Sequence, residues 1–157
     1  MSNKSFNELE KKLKKIKIEA FVIHQGNTRI FEYLKNKKVL DKPSKVYSIT
    51  KSIMSILIGI MVDKGLIKNI HEPIYNYFPE ILVSDDPQKK EITIFHLLTM
   101  TSGLKPVNFQ STKNWVKSIL EQPVLHIPGS TFEYNNGNSH LLSAIISKIS
   151  GHYCRVC

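Results

Sequence analysis

The chain has 157 residues, 41% of them hydrophobic and 22% charged, with a formal net charge of +9. That balance predicts one soluble globular domain with enough apolar surface for a core, and it excludes a largely disordered chain. The longest apolar run, residues 53–62, is broken by Ser55 and Gly59 and closed by Asp63-Lys64, too short to span a bilayer.

The first residues, MSNKSFNELEKKLKKIKIEAF, have no unbroken apolar stretch and no small-residue cleavage site, so a cytoplasmic location is the expectation. Residues 6–17 read as an amphipathic helix with Leu9, Leu13 and Ile16 on its apolar side. The lysines between them read as a solvated face, with a polyanion or membrane-surface contact as the alternative. Of 22 basic residues only Arg29 and Arg155 are arginine, and the lysines lack interleaved aromatic partners, so nucleic acid is not the expected partner. EAFVIHQGNTRIFEYL reads as two strands around a Gly26-Asn27 hairpin turn. Pro43 then interrupts a polar connection.

The stretch YSITKSIMSILIGIMVDKG, residues 47–65, is an apolar helix closed by Gly65, and it carries Lys51 near its start. Ser48 and Lys51 stand three apart, so they share one face. At the mouth of a buried helix, desolvation would lower the Lys51 pKa from about 10.4 and leave a neutral amine beside a hydroxyl. That is a base beside a nucleophile, with the helix N-terminus favouring the negative charge of attack. The plainer reading makes Ser48 an N-cap and Lys51 a solvated first-turn residue. Ser102 and Lys105 share the spacing, but they straddle Gly103 and have no common rigid face.

Residues 69–90 carry three prolines and read as an irregular segment. TIFHLLTMTSG reads as a short helix with Thr93 as N-cap and Gly103 as its stop. STKNWVKSILEQP reads as another helix, anchored to the core by Trp115. PGSTFEYNNGNSHLLSAIISKISG reads as a turn, an extended piece and a helix whose apolar stripe is Leu141, Leu142, Ile145, Ile146 and Ile149. His96 reads as a packing or surface residue. His24, His71, His126 and His140 lack metal-ligand spacing, and Cys154 and Cys157 form only half of a zinc site, so no metal or cofactor is expected.

Three of these stretches, in this order, resemble the serine β-lactamase and penicillin-binding-protein superfamily, especially its class C β-lactamase-like branch. YSITKSIMSILIGIMVDKG is similar to its S-x-x-K helix, and ITIFHLLTMTSGL to the stretch that follows. Tyr134-Asn135-Asn136 is similar to its Y-x-N motif. The resemblance covers about residues 20–151. It implies Ser48 as the acylated nucleophile and Lys51 as its proton acceptor. It also implies Tyr134 as a proton shuttle and Asn136 as the residue that binds substrate and holds Lys51. Read as residues alone, Tyr134 can equally be a half-buried aromatic, and Asn136 a turn residue beside Gly137.

The implied fold is α/β (α+β), an incomplete β-lactamase/transpeptidase-like fold with a helical domain and the N-terminal strands of an antiparallel sheet, in one partial domain over 1–157. The implied activity is serine hydrolysis of an amide, ester or β-lactam bond. The family's third motif, Lys-Thr-Gly or His-x-Gly, has no counterpart, so a truncated chain is expected. An inactive fragment and a basic binding module are the other functional readings, and the oligomeric state is left open.

Overall fold

The computed structural model describes residues 3–107 and 113–152, with side chains from residue 5 onward. Cys154 and Cys157 lie outside the described residues. The chain divides into two compact units, Met1–Lys45 and Val46–Cys157.

In the first unit, helix α1 (Asn3–Leu13) precedes strands β1 (Ala20–Gln25) and β2 (Thr28–Leu34). The strands pair antiparallel from Ala20↔Leu34 to Gln25↔Thr28, with an irregularity after Ile23 and Gly26 at a φ of 57 in the turn. Phe6 of α1 stacks on Phe31 of β2 at 5.2 Å, and Phe21 packs edge-on against Phe31. Helix α1 is shorter at its C-terminus than the helix expected over residues 6–17. Lys15 and Ile16 bond back only three residues, so the chain tightens into turns. Leu13 is buried, whereas Ile16, expected on the apolar side, is 57% exposed.

The second unit contains helices α2 (Ile49–Asp63), α3 (Ile94–Leu98), α4 (Trp115–Leu120) and α5 (Asn136–Ser150). Helix α5 packs against the other three. Its buried face holds Leu141, Leu142, Ile145 and Ile146 of the stripe the helical period predicts, with Ile149 partly buried against the same core. Met54 and Ile58 of α2, Ile94 and Leu97 of α3 and Ile119 and Leu120 of α4 complete that core. The proline-rich segment, irregular as expected, winds into short 3₁₀ turns that also bury Ile74, Phe78 and Ile81.

Three expectations are corrected here. Helix α2 is not buried all round: Ile49, Ile53, Ile56 and Ile60 are each at least 40% exposed. Helix α3 stops at Leu98 instead of continuing toward Gly103, because Met100 takes a left-handed φ of 58 that a helix cannot contain. Trp115 is 40% exposed and packs edge-on against His140 at 4.7 Å; Ile119 and Leu120 anchor α4 instead. Among the described residues there is one two-stranded sheet, five α-helices and no helix long and apolar enough to cross a membrane.

Candidate active site

Ser48 stands at the start of α2, after Tyr47, whose φ of 45 is a costly conformation for a side chain of its size. The amides of Ile49, Thr50 and Lys51 each bond back three residues. Such a 3₁₀ lead-in eclipses positions i and i+3, so Lys51 lies directly over Ser48. Lys51 Nζ is 3.4 Å from Ser48 Oγ and donates to it. The Ser48 hydroxyl makes no capping bond to the helix, so the plainer reading of Ser48 as an N-cap side chain is not realised.

Ser48 Oγ and Tyr134 Oη are 2.7 Å apart. Lys51 Nζ also lies 4.8 Å from the centre of the Tyr134 ring, close enough for a cation–π attraction. Hydrogen bonding, first from Lys51 and then from Ser48, holds the Tyr134 phenol below its usual range. Three residues separated by up to 86 positions therefore form one polar cluster. Ser48 is exposed and Lys51 only partly buried, so proximity, not deep burial, puts the amine beside the hydroxyl.

The approach of Tyr134 is fixed from both sides. The Glu133 amide donates to the Met100 carbonyl at 2.9 Å. Asn135 is buried; its Oδ1 accepts from the Gly137 amide and its Nδ2 donates to the Leu104 carbonyl, both at 2.8 Å. Asn135 therefore takes the turn role considered for Asn136 and caps α5. The Asn136 side chain is exposed and makes no hydrogen bond to Lys51 among the described residues.

Below this cap, buried Ser102 donates to Asn138 Oδ1 at 2.8 Å. The TMTSGL stretch is thus tied to the start of α5, and Ser102 is used in that tie, not paired with Lys105. His96 serves the start of α3, where it forms a reciprocal capping box with Thr93. His140 is a neighbour of the cluster that sequence reading missed. It lies one turn beyond Asn136, and burial, then the Lys51 charge, holds its imidazole below the usual range. A cavity of about 540 Å³ lined by residues including Glu80, Lys89 and Lys117 contains none of the four predicted residues.

The family description Beta-lactamase matches residues 6–157. The chain belongs to the β-lactamase family. Protein flp of Staphylococcus aureus (strain COL) is a relative, 30% identical over an alignment of 128 positions that covers 73% of this chain and 25% of flp. A class C β-lactamase from Rhodobacter sphaeroides shares the fold with a TM-score of 0.71 at 19% identity, over 99% of this chain and 46% of that one. A D-stereospecific amidohydrolase from Streptomyces sp. shares it with a TM-score of 0.67 at 17% identity, over 98% of this chain and 51% of that one. The chain spans about a quarter of the length of the curated relatives it matches. It therefore holds part of the mixed α/β fold of the β-lactamase family. No group of three or more potential metal ligands occurs among the described residues.

Proposed function

We propose that this chain is a serine hydrolase of the β-lactamase family, acting by acyl transfer on a small amide, ester or β-lactam. The observation that carries this reading is the Ser48 hydroxyl held between Lys51 at 3.4 Å and Tyr134 at 2.7 Å while making no capping bond. Ser48 Oγ attacks the acyl carbonyl, and its proton passes to Tyr134 as phenolate or to Lys51 in its neutral form. The leaving amine or alkoxide takes a proton back through Tyr134, and an ester to Ser48 remains. Water, deprotonated by the same groups, then attacks that ester and frees the acid. The positive end of the α2 dipole favours the charge that develops on the carbonyl oxygen. Asn136, exposed beside Tyr134, is the substrate-binding residue of this proposal.

Intact-mass measurement after treatment with a fluorophosphonate and, separately, benzylpenicillin tests the proposal. A single adduct mapped to Ser48 and absent in Ser48→Ala is the expected result. A folded chain that takes up neither reagent would refute it.

A further inference from the structure

Outside the candidate active site, the densest charge lies in the first unit. Residues 1–45 hold eleven lysines and one arginine against five carboxylates, hence seven of the nine net positive charges. Ion pairs engage Lys14 with Glu10, Arg29 with Glu32 and Lys42 with Glu19. Lys15, Lys17, Lys35, Lys37 and Lys38 are exposed and have no carboxylate within ion-pair distance among the described residues.

These five lie at one end of the hairpin. Ala20 pairs with Leu34 there, and the Lys35 amide donates to the Glu19 carbonyl at 2.9 Å. Lys42 reaches Glu19 at 3.8 Å, so the segment that follows the Lys37–Val39 turn comes back to the start of β1. Between the lysines, Ile16 is 57% and Leu40 69% exposed.

We infer that this end of the first unit docks on an anionic bilayer surface, with the lysines over lipid headgroups and Ile16 and Leu40 in the acyl boundary. Lysine clusters with exposed aliphatic tips gain from both headgroup charge and shallow insertion. Nucleic acid fits less well. The unit's one guanidinium is paired with Glu32, Phe6, Phe21 and Phe31 are packed on each other, and Tyr33 is buried, so no phenylalanine or tyrosine ring is offered to a base.

The test is sedimentation of the full chain with phosphatidylcholine vesicles, with and without about 30% phosphatidylglycerol. Binding is expected only with phosphatidylglycerol, and release at about 0.5 M salt, where screening shortens to a few ångströms. Lys37→Gln with Lys38→Gln should weaken binding roughly 25-fold, at about five-fold per lysine. Ile16→Ser with Leu40→Ser should weaken vesicle binding yet leave retention on heparin unchanged. Circular dichroism confirms that the variants keep the fold. No sedimentation at low salt, equal binding to neutral vesicles, or serine variants that bind vesicles like the parent would each overturn the inference; the last would mark a plain polyanion surface.

Discussion

Tyr134 makes the sharpest residue-level prediction. Hydrogen bonding from Lys51 and then Ser48 depresses its phenol from the ordinary 10.0, so phenolate forms at lower pH than in a free tyrosine. Activity should therefore climb with pH on a limb that ends below pH 10. Tyr134→Phe should abolish that limb and cost about 100- to 10,000-fold in kcat, the usual worth of a positioned acid–base group. Because the ring is 52% exposed, melting at neutral pH should change by no more than about 0.5 kcal/mol. A depressed phenol adds stability that is full above pH 10 and is lost as pH falls through the folded value. Ser48, Lys51 and Tyr134 became candidates through the order of the stretches that resemble the family, since spacing alone left the plainer readings open. Asn135, Ser102 and Asn138 did not, because what identifies them is a buried hydrogen-bond partner more than thirty residues away.

At the scale of elements, the tie between the TMTSGL stretch and α5 holds Tyr134 in place. A Cβ at Gly103 would collide with the His126 carbonyl oxygen, and its φ of 74 disfavours any other residue. Gly103→Ala should therefore cost on the order of 2 kcal/mol or more in chemical denaturation. Asn135→Ala removes a cap and leaves the Leu104 carbonyl unpaired, which predicts a loss of about 1–3 kcal/mol together with slower acylation. Urea titration and labelling kinetics on the same sample read both effects. The interior of α5 followed from apolar periodicity, and that of α2 from an apolar run closed by Gly65. The Thr93 cap and the Gly65 stop were also legible, but the end of α3 was not, since Met100 stops it through a left-handed φ that composition does not reveal. The proline-rich segment hid its contribution to the core because three-residue turns carry no detectable period.

For the whole molecule, the histidines set the acid limit. Burial is the leading cause that lowers both His96 and His140 below 6.5. The unfolded chain then binds protons first, so stability is full above pH 6.5 and is lost as pH falls below it toward the folded values. Tyr77 sets an alkaline limit. Burial, then Glu72, raises its phenol to about 12, so stability declines as pH rises from 10 toward 12. Melting temperatures measured from pH 5 to 11 should fall at both ends, and His140→Gln should flatten the acid side. Helix α2 adds a surface property. Ile49, Ile53, Ile56 and Ile60 recur at helical spacing and form an exposed apolar stripe. A dye that fluoresces on apolar surface should bind the native chain, and Ile56→Lys should reduce that signal without lowering stability. The β-lactamase family was legible because its motifs succeed one another in order. The stripe was not, since an apolar helix reads the same whether covered on one side or on two.

The central claim is that Lys51 prepares the Ser48 hydroxyl for attack. The most direct measurement is the second-order rate of fluorophosphonate addition to Ser48 in the parent and in Lys51→Met, each folded by circular dichroism. A fall of about 100-fold or more in Lys51→Met, with the remaining adduct still on Ser48, is predicted. Equal rates in the two proteins would contradict it.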